Sequence, residues 1–197
     1  MFLFGHTGLT LAAAATTDFV YSHLKPVPDK NTAVDVRHQH LSFFNMIDSR
    51  LLLFGSLLPD IIDKPLGVFL LGGVYRSGRI YSHTLLFLVL LTAVGLLLRW
   101  RYKKSWLLVI TFGVLTHLVF DSMWRNPVTL FWPLLGFTFP PEQLEDWFNS
   151  LLYELLHLPQ VYIPEILGVT VFAVLLLWLV KKKRVGSFMK TGRVEPT

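Results

Sequence analysis

The sequence predicts an all-α protein, an integral membrane bundle of about five transmembrane helices with one re-entrant or interfacial segment. Three observations predict it. The 197 residues are 53% hydrophobic and only 16% charged, whereas a soluble domain averages roughly 45–50% apolar and about 25% charged residues. Three long stretches are apolar almost throughout. The basic residues cluster beside those stretches, as the positive-inside rule expects.

The clear spans are 84–98 (TLLFLVLLTAVGLLL), 105–120 (SWLLVITFGVLTHLVF) and 166–180 (ILGVTVFAVLLLWLV). Each is short of the ~20 residues that cross a bilayer. Flanking Tyr81, Trp100, Tyr102, Trp124 and Tyr162 extend them as interfacial anchors. A fourth helix covers 1–22, where Gly and Ala suit close helix packing. No Lys or Arg precedes Lys25, which argues against a cleaved signal peptide with its basic leading region. A fifth helix lies in 51–58, where LLLFGSLL runs into Pro59, or starts earlier, near Leu41. Residues 65–74 (PLGVFLLGGV) are apolar but broken by Gly and Pro, and read as the re-entrant or interfacial piece. The stretch EQLEDWFNSLLYELLHL (142–158) reads as an amphipathic surface helix. Residues 1–185 form a single helical domain, and 186–197 a flexible cytoplasmic tail.

Charge sets the orientation. The RWRYKK loop (99–104), the KKKR run (181–184) and the 23–50 loop belong in the cytoplasm. This puts 14 of the 18 Lys and Arg inside and leaves Lys64, Arg76, Arg79 and Arg125 outside. No basic stripe interleaves with aromatics in a polar context, so nucleic acid is not an expected partner. Membrane lipid is. With no cysteine, any metal site must be built from His, Asp and Glu.

That topology carries His6, Asp60, Asp63, His83, His117 and Asp121 to the ends of four helices at one extracytoplasmic membrane face. Imidazole and carboxylate are the usual ligands of zinc and similar divalent ions when thiolates are absent. His117 and Asp121, four apart, project from one side of a helix. Each residue also has an ordinary reading: a capping histidine, an intrahelical His–Asp pair, a turn residue after Pro59. Arg79 suits an anionic substrate group or an interfacial anchor. Glu154 and His157 suit a solvated helix face better than a ligand pair. His23, His38 and His40 fall on the cytoplasmic side, away from the cluster.

GSLLPDIID (55–63), GRIYSHTLLF (78–87), THLVFDSMW (116–124), LFWPLLG (130–136) and the early GHTG (5–8) together resemble the YdjM-like family of membrane-bound metal-dependent hydrolases. That family is distantly similar to zinc-dependent phospholipases C and single-strand nucleases. The resemblance implies a divalent metal, zinc first, held by His6, Asp60, Asp63, His83, His117 and Asp121. It also implies a catalytic arginine at Arg79, with Asp60 or Asp63 as general base where it is not a ligand. The chain departs from the family pattern at Gly78, where many relatives have His, and at Ile62 and Lys64, where many have Asp-His directly. The implied activity is hydrolysis of a phosphoester, such as a phospholipid headgroup, at the outer membrane face. The alternative is a non-catalytic scaffold or partner-binding protein with a structural metal site. A transporter would place its acids near mid-span instead.

Overall fold

The computed structural model describes residues 3–24, 47–70, 77–141 and 147–193. They form helices α1 (Leu3–Leu24), α2 (Ser49–Lys64), α3 (Leu85–Tyr102), α4 (Trp106–Phe120), α5 (Pro127–Leu130), α6 (Trp147–His157), α7 (Pro159–Lys181) and α8 (Val185–Thr191). Short π- and 3-10-helical turns at Pro65–Leu70, Tyr81–His83 and Met123–Arg125 join them. No strand occurs among the described residues.

Two helices are long and apolar enough to cross a membrane, α3 with 18 residues and α7 with 23. At ~1.5 Å per residue they reach about 27 and 35 Å, against a hydrocarbon core of about 30 Å. Both keep their apolar side chains on the outside. Gly95 is the sole buried residue of α3, and Leu90, Leu97, Val174 and Leu177 are more than half exposed. Helix α4, with 15 residues, is apolar but shorter. Its Leu107, Ile110, Val114 and Leu118 are buried, so it packs centrally, while its Trp106, Leu115 and Val119 stay exposed.

Glycines set the closest packing. A Cβ on Gly55 of α2 would collide with the Ile110 backbone of α4, and one on Gly113 of α4 would meet the Leu52 carbonyl and the Ser56 amide of α2. Gly8 of α1 and Gly168 of α7 meet in the same way. Small residues at both contacts let the backbones touch, the usual means of joining helices where apolar burial offers no preference over lipid. Around these crossings lie two apolar clusters. One is Ala14, Ile47 and Leu52; the other is Val114, Leu118 and Met123, with Phe87 and Leu91 of α3 packed on it.

Several expected boundaries shift. The second helix starts at Ser49, where the Asp48 side chain accepts from the Arg50 amide as N-cap; residues 41–46 lie outside the described residues. It does not stop at Pro59 but runs through it to Lys64. A proline leaves the carbonyl four residues back without its helical donor, here that of Gly55 at the α4 crossing. Asp60 and Asp63 therefore belong to the last helical turn rather than to a loop after it. The last span starts at Pro159, seven residues before the apolar run, and takes Pro164 and Glu165 into the helix. Residues 65–70 of the expected re-entrant piece form the π-helical turn, and 71–76 lie outside the described residues. The amphipathic segment is helical over Trp147–His157. In the expected tail, α8 is helical, and Arg50 donates to the Met189 and Lys190 carbonyls at its end.

Candidate metal centre

Four elements converge at one end of the bundle. Helix α1 supplies His6, the last turn of α2 supplies Asp60, Asp63 and Lys64, the 77–83 segment supplies Arg79 and His83, and the end of α4 supplies His117 and its C-cap Asp121. The α2–α4 glycine crossing sets this register. It brings the Ser56 carbonyl to 2.7 Å from His117 Nδ1. The α1–α4 seam is tied by a hydrogen bond between the Thr10 and Thr116 hydroxyls at 2.9 Å.

His6, His83 and His117 are fully buried. The His6 and His117 rings stack with centroids 4.0 Å apart. His117 Nε2 lies 3.1 Å from His83 Nε2. Asp60 Oδ1 stands 3.6 Å from His83 Nε2 and 3.9 Å from His117 Nε2. Asp121 Oδ1 is 3.2 Å from His6 Nε2, but off hydrogen-bond direction, so neither ring nitrogen of His6 makes a directed hydrogen bond among the described residues. Two ligand groups result, His6–His117–Asp121 and Asp60–His83–His117, with His117 common to both.

The tautomers follow from the other ring nitrogens. A carbonyl oxygen can only accept, so His117 Nδ1 carries the hydrogen that points at Ser56. His83 Nδ1 faces Asp63 Oδ2 at 2.7 Å, and a carboxylate also only accepts. In the neutral rings both Nε2 atoms therefore present lone pairs, and these face each other at 3.1 Å. Only a proton or a cation between them resolves that repulsion. Two imidazoles on one tetrahedral zinc, at about 2.0–2.1 Å each, place their nitrogens about 3.3 Å apart. The donor set and spacing thus fit a divalent ion.

Asp63 stands behind the cup rather than in it. Its carboxylate accepts the backbone N–H groups of Ile80, Ser82 and His83 at 2.8–3.2 Å as well as the His83 ring. It orients His83, the usual task of an outer carboxylate behind a metal-binding histidine. Two cations hold the rim. Lys64 Nζ pairs with Asp60 Oδ2 at 2.8 Å, and Arg79 Nε with Asp121 Oδ2 at 2.8 Å. Both basic side chains are about a third exposed, 36% and 35%, so they bridge the buried carboxylates and the mouth. Glu154 and His157 join neither ligand group; the His157 ring lies on Tyr153 of its own helix. His38 and His40 lie outside the described residues.

Glu165 is the residue that sequence reasoning missed. From α7 it accepts the Phe4 and Gly5 amides of α1 at 3.0 Å each. The first amides of a helix have no partner in that helix, and here a carboxylate 160 residues along the chain meets two of them, next to His6. A Glu165→Leu change would strand both, at about 1–3 kcal/mol for each buried donor, whereas Glu165→Gln keeps one acceptor. Thermal unfolding in detergent should rank wild type above Gln and Gln above Leu. Equal stability of Leu and wild type would remove the assigned role.

The profile of the YdjM inner membrane protein family matches residues 1–186, nearly the whole chain. A helical membrane protein with a buried His/Asp cup is the class that fold and site define. The chain belongs to the YdjM inner membrane protein family. No curated protein and no solved structure matches it.

Proposed function

We propose that the cup binds a divalent metal, zinc first, and that the protein is a membrane-bound hydrolase of phosphoesters. The observation that carries this reading is the pair of opposed Nε2 atoms of His83 and His117 at 3.1 Å, each ring locked by its own acceptor. His83, His117 and Asp60 would hold the ion, with Asp121 and His6 beside them. A bound divalent ion would lower the pKa of a water from ~15.7 toward ~7 and polarise a phosphoryl oxygen.

The chain's own residues supply the rest. Asp60 has one oxygen toward the histidines and the other on Lys64, so it serves as a ligand that Lys64 aims. Asp63, with its carboxylate filled by N–H donors, serves to orient His83; neither is placed as general base. Lys64 and Arg79 stand where a phosphoryl group would enter, and their charges oppose the charge that develops on it. Counting Asp63 behind the cup with Asp60 and Asp121 in it, three carboxylates against these two cations give the cluster one negative charge, which a divalent ion turns into one positive charge. That favours an anionic substrate.

The five-span arrangement and the extracytoplasmic placement of the cup rest on the charge asymmetry and are part of this proposal. Lys64 and Arg79, on the sparsely basic side, would face the headgroup layer, which supports a phospholipid or other lipid-linked phosphoester as substrate.

The test is metal analysis of protein purified without chelator, with phosphomonoester and phosphodiester turnover assayed before and after stripping. Turnover that is lost on stripping and restored by zinc is expected. Metal retained without turnover on any phosphoester would favour the scaffold reading. Absence of bound metal would sink both.

A further inference from the structure

Beside the cup, residues 131–139 (FWPLLGFTF) fold into an apolar knuckle that nothing in the metal reading uses. Its root packs on Tyr81, two residues before His83. The Tyr81 ring meets Trp132 and Phe139 edge-on, with centroids 5.3 Å away in each case, and Trp132 lies over Phe139 at 5.8 Å. Its tip stands out beyond these rings, with Phe137 keeping only an edge-on contact with Trp132 at 6.4 Å. Leu134 is 84% exposed and Phe137 77%. Large apolar side chains gain free energy on leaving water, so a tip held out in water would be a standing loss.

We infer that this knuckle inserts into the lipid leaflet at the cup's end of the bundle, with lipid as the occupant of its tip. Three features carry the inference. The root at Tyr81 lies one turn before α3, a helix long and apolar enough to cross a membrane, whose Leu86, Val89 and Leu90 are exposed, so the tip continues that apolar surface at its edge. The stretch from Pro127 to Pro141 holds no charged residue, which suits lipid and would be unusual in a water-facing loop.

The third feature is the backbone. Peptide groups enter an apolar phase at low cost only where they are satisfied internally. The amides of Phe131, Trp132, Leu134 and Gly136 bond to the carbonyls of Pro127, Thr129, Phe131 and Pro133 at 2.7–3.2 Å, and Pro133 has no N–H. Those of Leu135, Phe137 and Thr138 make no hydrogen bond among the described residues, which fits a tip at the depth of the hydrated headgroups rather than deeper. Gly136, at φ +133°, turns the chain with open space where a Cβ would stand. The knuckle is therefore built before any lipid arrives. It sets an apolar guide next to His83, through which a lipid-borne molecule reaches the cup sideways rather than from water.

The chain has no cysteine, so a single Leu134→Cys substitution can carry a nitroxide at a solvent-exposed position. The full-length protein is reconstituted in phosphatidylcholine–phosphatidylglycerol vesicles, and label accessibility to oxygen and to a water-soluble nickel chelate is compared. Leu90→Cys on the lipid face of α3 and Lys104→Cys in the basic loop set the two limits. The label at 134 is expected to shift with Leu90, toward oxygen and away from nickel. Behaviour like Lys104 would overturn the insertion. Shielding from both reagents would overturn it too, because a protein surface would then cover the tip. The outcome does not depend on whether the cup binds metal or turns over a substrate.

Discussion

A His117→Ala protein is expected to carry no stoichiometric metal and to have lost phosphoester turnover. His117 belongs to both ligand groups, so no three-residue set survives its removal. The loss should exceed the ~10–100-fold in metal affinity that removing an outer partner of a ligand costs, which is the effect expected of Asp63→Asn. The ring is fully buried and stacked on His6, and alanine also leaves a cavity. His117→Gln, closer in size, separates the two effects: it should fold, and still bind far less metal than the Asp63→Asn protein. Unchanged metal content in both His117 variants would end the proposed site.

Gly113→Ala should have the second large effect. A Cβ there would stand 2.5 Å from the Leu52 carbonyl oxygen and 2.6 Å from the Ser56 amide nitrogen. Both are backbone atoms, so no side chain can turn aside and α2 must move off α4. Overpacking of this kind costs about 1–3 kcal/mol, occasionally more. The same movement carries the Ser56 carbonyl away from His117 Nδ1, one helical turn along, so metal affinity should fall with stability. Gly186→Ala is the control, since a Cβ there meets nothing within 4 Å. Equal melting temperatures for Gly113→Ala and Gly186→Ala would show that the crossing tolerates a methyl group.

Much of the cup was legible before any coordinates. The spacing of His117 and Asp121 puts them on one helix face, and their meeting with His6, Asp60 and His83 needed only the helix order and the charge asymmetry of the loops. What escaped was non-local or made by the backbone. The Ser56 carbonyl that fixes the His117 tautomer has no side-chain signature. Asp63 looked the same as Asp60, and only the fold shows three backbone amides turned onto it. Pro59 read as an end because a proline blocks its own helical bond, yet the helix continues, and the Ser82 hydroxyl donates to the Pro59 carbonyl at 2.9 Å. Glu165 lay beyond the apolar run and beside Pro164, the pattern of a boundary. Its partners are at the other end of the chain, out of reach of any local periodicity.

The Glu165 contact bears on the order in which the protein assembles. At ~5–20 residues per second, synthesis separates residue 5 from residue 165 by on the order of ten seconds. Through that interval the first turn of α1 waits without its acceptor, and Gly8 without Gly168. The α2–α4 crossing and the His83–His117 pair need nothing beyond residue 117, so that half of the cup can form while the ribosome is still working. His6 can already stack on His117, and Thr10 can bond Thr116, before α7 exists. The Glu165 and Gly168 contacts that fix the first turn of α1 come last, when α7 emerges.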